Sequence, residues 1–253
     1  MNLTYEGAFA WGLVAASSLV IGAVIAFLVQ IPLRIVGLIM GFGAGVLISA
    51  VAFDLIEEAA SETSGKGFVA AGVFLGCLVF FGGDRLIDGL GGSERKDPTG
   101  TDGGSGGGGG GSSLSIVLGT VLDGIPESLV IGLTIFKGGA VGIGYLIAVF
   151  ISNLPEAISA TAGLLTSGWT KSRVLGMWIG IALVSAVASL LGYTLFQNAS
   201  GDILGFVLAF AGGAILTMLA NTMMPEAFEH GGKLVGIMVT LGFAVAFTIH
   251  VLT

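Results

Sequence analysis

Two short segments of the chain set a proline and carboxylates inside apolar sequence. Residues 123–127 read Asp-Gly-Ile-Pro-Glu, and residues 152–156 read Ser-Asn-Leu-Pro-Glu. Asp123 and Glu127 are four residues apart, as are Ser152 and Glu156, so in helices each pair shares one face. A proline lacks the amide hydrogen that would bond the carbonyl four residues earlier. Pro126 and Pro155 therefore loosen the carbonyls of Leu122 and Ile151. Carboxylates, a hydroxyl, an amide and loosened carbonyls are oxygen ligands, the set that suits hard or intermediate divalent cations. Asp123, Glu127, Ser152, Asn153 and Glu156 are accordingly the expected cation site. Three carboxylates in low dielectric do not all stay ionised without a neutralising cation, so cation binding is expected to displace protons.

The elements that carry these residues follow from composition. The 253 residues include only 9 Lys and Arg and 16 Asp and Glu, against 54% hydrophobic residues and 45 glycines. Soluble domains are roughly 25% charged; here the share is 10% and mean hydropathy is +1.01. The chain is expected to sit in a bilayer as an all-α, single membrane domain spanning residues 1–253. Apolar runs predict eight spanning helices at about 7–29, 34–58, 67–87, 114–136, 139–166, 172–197, 203–229 and 234–252. Both Pro-Glu segments then lie near mid-membrane, where a carboxylate is costly enough to be read as functional by default. Residues 88–113 are expected to form a flexible, glycine-rich cytoplasmic loop. With the N-terminus outside, Arg34, Arg85, Arg95, Lys96, Lys171, Arg173 and Lys233 fall on the cytoplasmic side and only Lys66 and Lys137 outside, which predicts both termini outside.

Helices two and seven look alike. Residues 42–59 and 210–227 align without gaps at an offset of 168, pairing Phe42 with Phe210, Gly45 with Gly213, Ser49 with Thr217 and Glu58 with Glu226. The same offset pairs Gly12 with Gly180 and Ser17 with Ser185. The members of each pair cross the membrane in opposite directions, so a 3+2+3 arrangement is expected: helices 1–3 and 6–8 as an inverted repeat around helices 4 and 5. Small-residue strings at Gly37-Gly41-Gly45 and Gly201-Gly205-Ala209-Gly213 predict close packing of helices two and seven.

At the Pro-Glu segments the chain resembles the ZIP (Zrt- and Irt-like) family of divalent metal transporters, whose signature is His-Asn-x-Pro-Glu-Gly on helix four and a similar His-x-x-Pro-Glu-Gly on helix five. The resemblance implies metal binding by Glu127 and Glu156, a homodimer, and the same topology of eight helices with both termini outside. Asp123 and Ser152 stand where the family usually has His. Gly124 replaces the usual Asn, Asn153 occupies an often polar position, and Ser128 and Ala157 replace the glycines. Family members with a second ion use an acid on helix six; helix six here has none, so one metal is expected. The lost histidines harden the ligand set and bring Mn²⁺, Fe²⁺ and Co²⁺ into contention with Zn²⁺.

Acids also gather at the mouths of the implied path. Asp54, Glu57 and Glu58 end helix two at the expected entrance, and Glu226, Glu229 and His230 end helix seven at the expected exit, where clustered carboxylates raise local cation concentration. His250 has no partner in sequence and is read as structural. Met223, Met224 and the single cysteine, Cys77, are read as packing residues. The sequence thus predicts a secondary transporter that moves a divalent metal cation across the cytoplasmic membrane into the cytoplasm by alternating access. A membrane metal-binding or sensor protein that does not transport is an alternative, as is a carrier of another solute that uses the carboxylates as proton sites. No catalytic cofactor, ATP or nucleic acid is expected: there is no G-x-x-x-x-G-K-[ST] segment, the net charge is −7, and no nucleophile–base set accompanies the carboxylates, so no enzyme is predicted. The partners are the bilayer and the ion. Residues 1–6 lack a positive start, so no removable leader is expected.

Overall fold

The computed structural model describes residues 5–87, 111–138 and 142–252. Every regular element among them is helical, as the bilayer requires: an isolated helix satisfies its own backbone, while an open strand does not. Eight helices are long and apolar enough to cross a membrane. They are α1 (Tyr5–Leu28), α2 (Leu33–Glu62), α3 (Lys66–Ile87), α4 (Gly111–Gly138), α5 (Ile143–Thr166), α6 (Lys171–Phe196), α7 (Gly201–Gly231) and α8 (Leu234–Leu252). Both α2 and α7 run further than their apolar runs predict, so the acids expected at their ends lie inside helix. Helix α4 starts at Gly111, inside the segment expected to be loop; the remainder of that segment falls outside the described residues.

Local signals end the helices where the chain turns. Thr170 caps α6, its side chain accepting from the Arg173 amide. Gly168 and Gly232 close α5 and α7 at positive φ (87° and 63°), a conformation that L side chains rarely adopt. At the start of α7, Asp202 accepts from the amide and hydroxyl of Ser64, fastening the α2–α3 turn.

Packing divides the bundle into two groups. Helix α1 lies along α5 and α6, and α4 lies along α6; separately, α3 lies along α7, and α8 along α2. Helix α2 bridges the groups through α5 and α7. One core cluster is built largely on α2 and α7, with Met40, Leu47, Leu55, Leu208 and Ile215 buried in it; a second sits between α1, α5 and α6 around Trp178. The Trp178 indole donates to Thr161 at 2.8 Å, joining α6 to α5.

Glycines set the closest approaches. A Cβ on Gly45 would run into the Val239 carbonyl of α8, and one on Gly213 into the Val73 carbonyl of α3. Likewise a Cβ on Gly242 would meet the Phe42 carbonyl, and one on Gly76 the Phe210 carbonyl. Gly37 faces the Ala227 carbonyl just as Gly205 faces that of Ala59. In each case the α2 and α7 residues correspond at the offset of 168. Gly12 and Gly180 do not follow suit: Gly12 is tight against Ala186 and Ser189, while Gly180 has open space. The helical winding also corresponds. Residues Val51–Glu57 of α2 and Leu219–Met223 of α7 form π-helix, and the two segments begin 168 residues apart.

Candidate functional site

Helices α4 and α5 run unbroken through Pro126 and Pro155. The five residues predicted to hold a cation are all buried: Asp123, Glu127, Ser152, Asn153 and Glu156 are between 1% and 8% exposed. Ser152 donates to the Val149 carbonyl of its own helix at 3.0 Å, which leaves its oxygen free to accept or to ligate. Gly43 of α2 lets that helix approach α5 at Ser152, where a Cβ would stand 3.1 Å from the Ser152 Cα and 3.6 Å from the loosened Ile151 carbonyl. On α4, Gly124 leaves room beside the Ser185 hydroxyl of α6, itself buried, so α6 offers a hydroxyl where it has no acid.

Helices α4 and α5 touch over a short stretch only. Among the described residues, no three His, Cys, Asp or Glu side chains lie close enough together to hold a metal ion. The polar groups are instead strung along one face of α5. Tyr145, Ser152, Glu156 and Ser159 recur at helical spacing and are all buried. At 1.5 Å per residue, Tyr145 and Ser159 stand roughly 21 Å apart along the axis.

Each end of this stripe meets another helix. At one end the Ser159 hydroxyl donates to Glu226 Oε1 of α7 at 2.7 Å. At the other, Tyr145 interacts electrostatically with Glu127 of α4 and Asp54 of α2, and Asp54 Oδ1 lies 2.8 Å from His250 Nδ1 of α8. His250, expected to lack a partner, thus has one; 196 residues separate the pair, so nothing local announces it. The other predicted end residues divide by exposure. Glu58 and His230 are half-buried, while Glu57 and Glu229 are exposed. Met223 is buried with its methyl near Gly43, in keeping with a packing role. Sequence reasoning does not mark Tyr145 and Ser159, whose available signal is their recurrence with Ser152 and Glu156 on one helical face, and it names Ser185 only as the repeat partner of Ser17.

Space is unequal at the two ends. A cavity of about 620 Å³ opens between α1, α2, α5 and α6 and reaches Ser159, Ala162 and Lys171. Beside Asp54, one space among α2, α5 and α8 holds about 10 Å³, the smallest that admits even one water molecule.

Three curated relatives resemble the chain over most of its length. Zinc transporter GufA of Myxococcus xanthus is 29% identical over 209 residues, 78% of this chain and 76% of its own. The chain is a homologue of proteins named zinc transporters. Zinc transporter ZTP29 of Arabidopsis thaliana is 24% identical over 237 residues, 87% of this chain and 84% of its own. A longer Arabidopsis thaliana protein, At3g08650, provisionally named a zinc transporter, is 25% identical over 224 residues; the match takes in 87% of this chain and 34% of that protein. No protein-family model matches the chain. The relatives agree with the resemblance carried by the two Pro-Glu segments and support a metal-transport role for this multi-pass membrane homologue.

Proposed function

We propose that the protein is a secondary transporter that carries a divalent metal cation, Zn²⁺ foremost with Mn²⁺ and Fe²⁺ as competitors, across the cytoplasmic membrane into the cytoplasm. The observation that carries this reading is the buried oxygen stripe of α5. It runs from the Asp54 end to the Glu226 end of the bundle and passes Glu127 of α4. A cation passing along it exchanges hydration water for carboxylate and hydroxyl oxygens, the ligands such ions accept. Among the described residues no three His, Cys, Asp or Glu side chains converge, and on this reading the ion is handed between weak stations so that release is fast.

The excess of basic residues at the Ser159 end supports a cytoplasmic location for Ser159. The cavity there, far larger than the space beside Asp54, is in keeping with an inward-facing state of alternating access. Matched glycine contacts and π segments in α2 and α7 support an inverted repeat about α4 and α5. Such a repeat relates α1 to α6 and α2 to α7 and so maps each helix group onto itself; a shift of one group against the other then closes one mouth and opens the other. No nucleotide is needed. A divalent ion falling through 100 mV gains about 4.6 kcal/mol, at about 2.3 kcal/mol per charge, which sustains a gradient of three decades.

Uptake by the purified protein in vesicles tests this. Glu127→Ala and Glu156→Ala each abolish metal uptake on this reading; uptake at the wild-type level in both variants rules it out.

A further inference from the structure

The core segments contain no nitrogen ligand, yet a ring nitrogen stands at the Asp54 end of the same stripe. His250 Nδ1 lies 2.8 Å from Asp54 Oδ1, with both side chains partly buried. The imidazole packs on Phe53 at 5.4 Å between ring centroids, and Phe53 packs in turn on Phe247 and Phe243. These aromatic contacts hold the ring in place near the end of its helix. Asp54 belongs to the π-wound stretch of α2, and such widenings of an α-helix recur at functional sites. Helix α5 meets Asp54 at Gly144, where a Cβ would stand 3.7 Å from Asp54 Oδ2, and the hydroxyl of the adjoining Tyr145 is fully buried, makes no hydrogen bond, and interacts electrostatically with both Asp54 and Glu127. Leaving a buried hydroxyl unsatisfied costs about 1–3 kcal/mol. That cost is offset if the hydroxyl accepts a passing cation between one acid and the next.

We propose that Asp54 and His250 form a second, outer binding site for a divalent cation of the Zn²⁺ class, and that the Tyr145 hydroxyl is the station between this site and Glu127. The inference rests on the transport reading above. Zn²⁺ holds nitrogen and oxygen ligands at about 2.0–2.2 Å in tetrahedral array, which sets two ligands roughly 3.3 Å apart. The Asp54–His250 pair has only to open by about half an ångström to take an ion, with water at the remaining positions. Two protein ligands give a weak site, suited to an entrance that must pass its ion on. An imidazole favours Zn²⁺ over Mn²⁺, Mg²⁺ and Ca²⁺, so preference for zinc is exercised at the mouth while the all-oxygen core stays permissive.

Two measurements on the full chain decide this. Equilibrium Zn²⁺ binding is measured on the Glu127→Gln/Glu156→Gln double variant, whose core is disabled, with and without His250→Gln. Competitive uptake of Zn²⁺ and Mn²⁺ into vesicles is measured on otherwise unaltered His250→Gln. The double variant is expected to retain a Zn²⁺ site that His250→Gln removes, and the Zn²⁺-to-Mn²⁺ uptake ratio to fall about tenfold, the lower end of the loss caused by altering a metal site. A double variant that binds no Zn²⁺, binding that survives His250→Gln, or an unchanged ratio each overturns the proposal. Asp54→Asn is expected to abolish the same binding and serves if His250→Gln does not fold. Failure of the wild type to take up any divalent cation defeats the transport reading by itself, since the binding measurement still decides whether the pair holds an ion.

Discussion

Ser159 Oγ of α5 donates to Glu226 Oε1 of α7 at 2.7 Å, tying together two residues 67 positions apart. Glu226 is 9% exposed, so its carboxylate depends on such donors for its hydrogen bonds. The contact joins one helix from each packing group at the open end of the stripe.

Removing that donor should be felt in stability. Ser159→Ala leaves a buried carboxylate short of a hydrogen bond, which costs about 1–3 kcal/mol. Ser159→Thr retains the hydroxyl. Thermal unfolding of the purified protein is expected to show a lower Tm for the alanine variant and a smaller change for threonine. An alanine variant as stable as the wild type would mean that the contact is incidental.

The hard character of the core is also open to test. Asp123→His returns a nitrogen ligand to the position where the resembling family carries one. Imidazole ligands suit Zn²⁺ better than Mn²⁺, and the competitive Zn²⁺-to-Mn²⁺ uptake ratio is expected to rise by about tenfold, the lower end of effects at metal sites. A ratio that stays put would show that Asp123 does not touch the ion.

Packing at the glycines makes opposite predictions for residues of one type. Gly45→Ala and Gly213→Ala force α2 away from α8 and α7 away from α3, because backbone carbonyls occupy the space. Overpacking of this kind costs about 1–3 kcal/mol. Gly180 has nothing within 4 Å, so Gly180→Ala is expected to be neutral or to stabilise by up to about 1 kcal/mol through lower backbone entropy. Chemical or thermal unfolding of the three variants separates the cases; equal effects at Gly45 and Gly180 would contradict the close approach.

The unequal ends predict unequal reactivity. In a Cys77→Ala background, Ala162→Cys lines the 620 Å³ cavity and Ala148→Cys the 10 Å³ space. A small hydrophilic thiol reagent is expected to label position 162 at least about ten times faster, the entry of reagent into the smaller space being limited by room for a single water. Comparable rates at both positions would argue that the Asp54 end is open.

Much of this was readable from residue order, because the bilayer leaves few choices. Scarce charges and long apolar runs determine eight helices, since every backbone group in lipid must bond within its own segment. The Pro-Glu segments singled out Asp123, Glu127 and Glu156 because a carboxylate at mid-span is too costly to be incidental. The likeness of residues 42–59 to 210–227 pointed to α2 and α7, whose glycine contacts then corresponded. Helix ends were harder to read: α2 and α7 continue past their last apolar turn to Glu62 and Gly231, because charged residues at a membrane face are still good helix formers.

Tertiary structure decided which side chains meet. The pairs His250–Asp54 and Ser159–Glu226 each join helices far apart in the chain, and whether two helical faces come together depends on crossing geometry that local pattern does not encode. The same holds for the carboxylates. Spacing put Asp123 with Glu127 and Ser152 with Glu156, but only the packing of α4 on α6 and of α5 on α1 and α2 decides which other helices those faces meet. Periodicity determines which residues share one helix face; contacts between helices, made here through glycines a single Cβ would block, determine what that face sees.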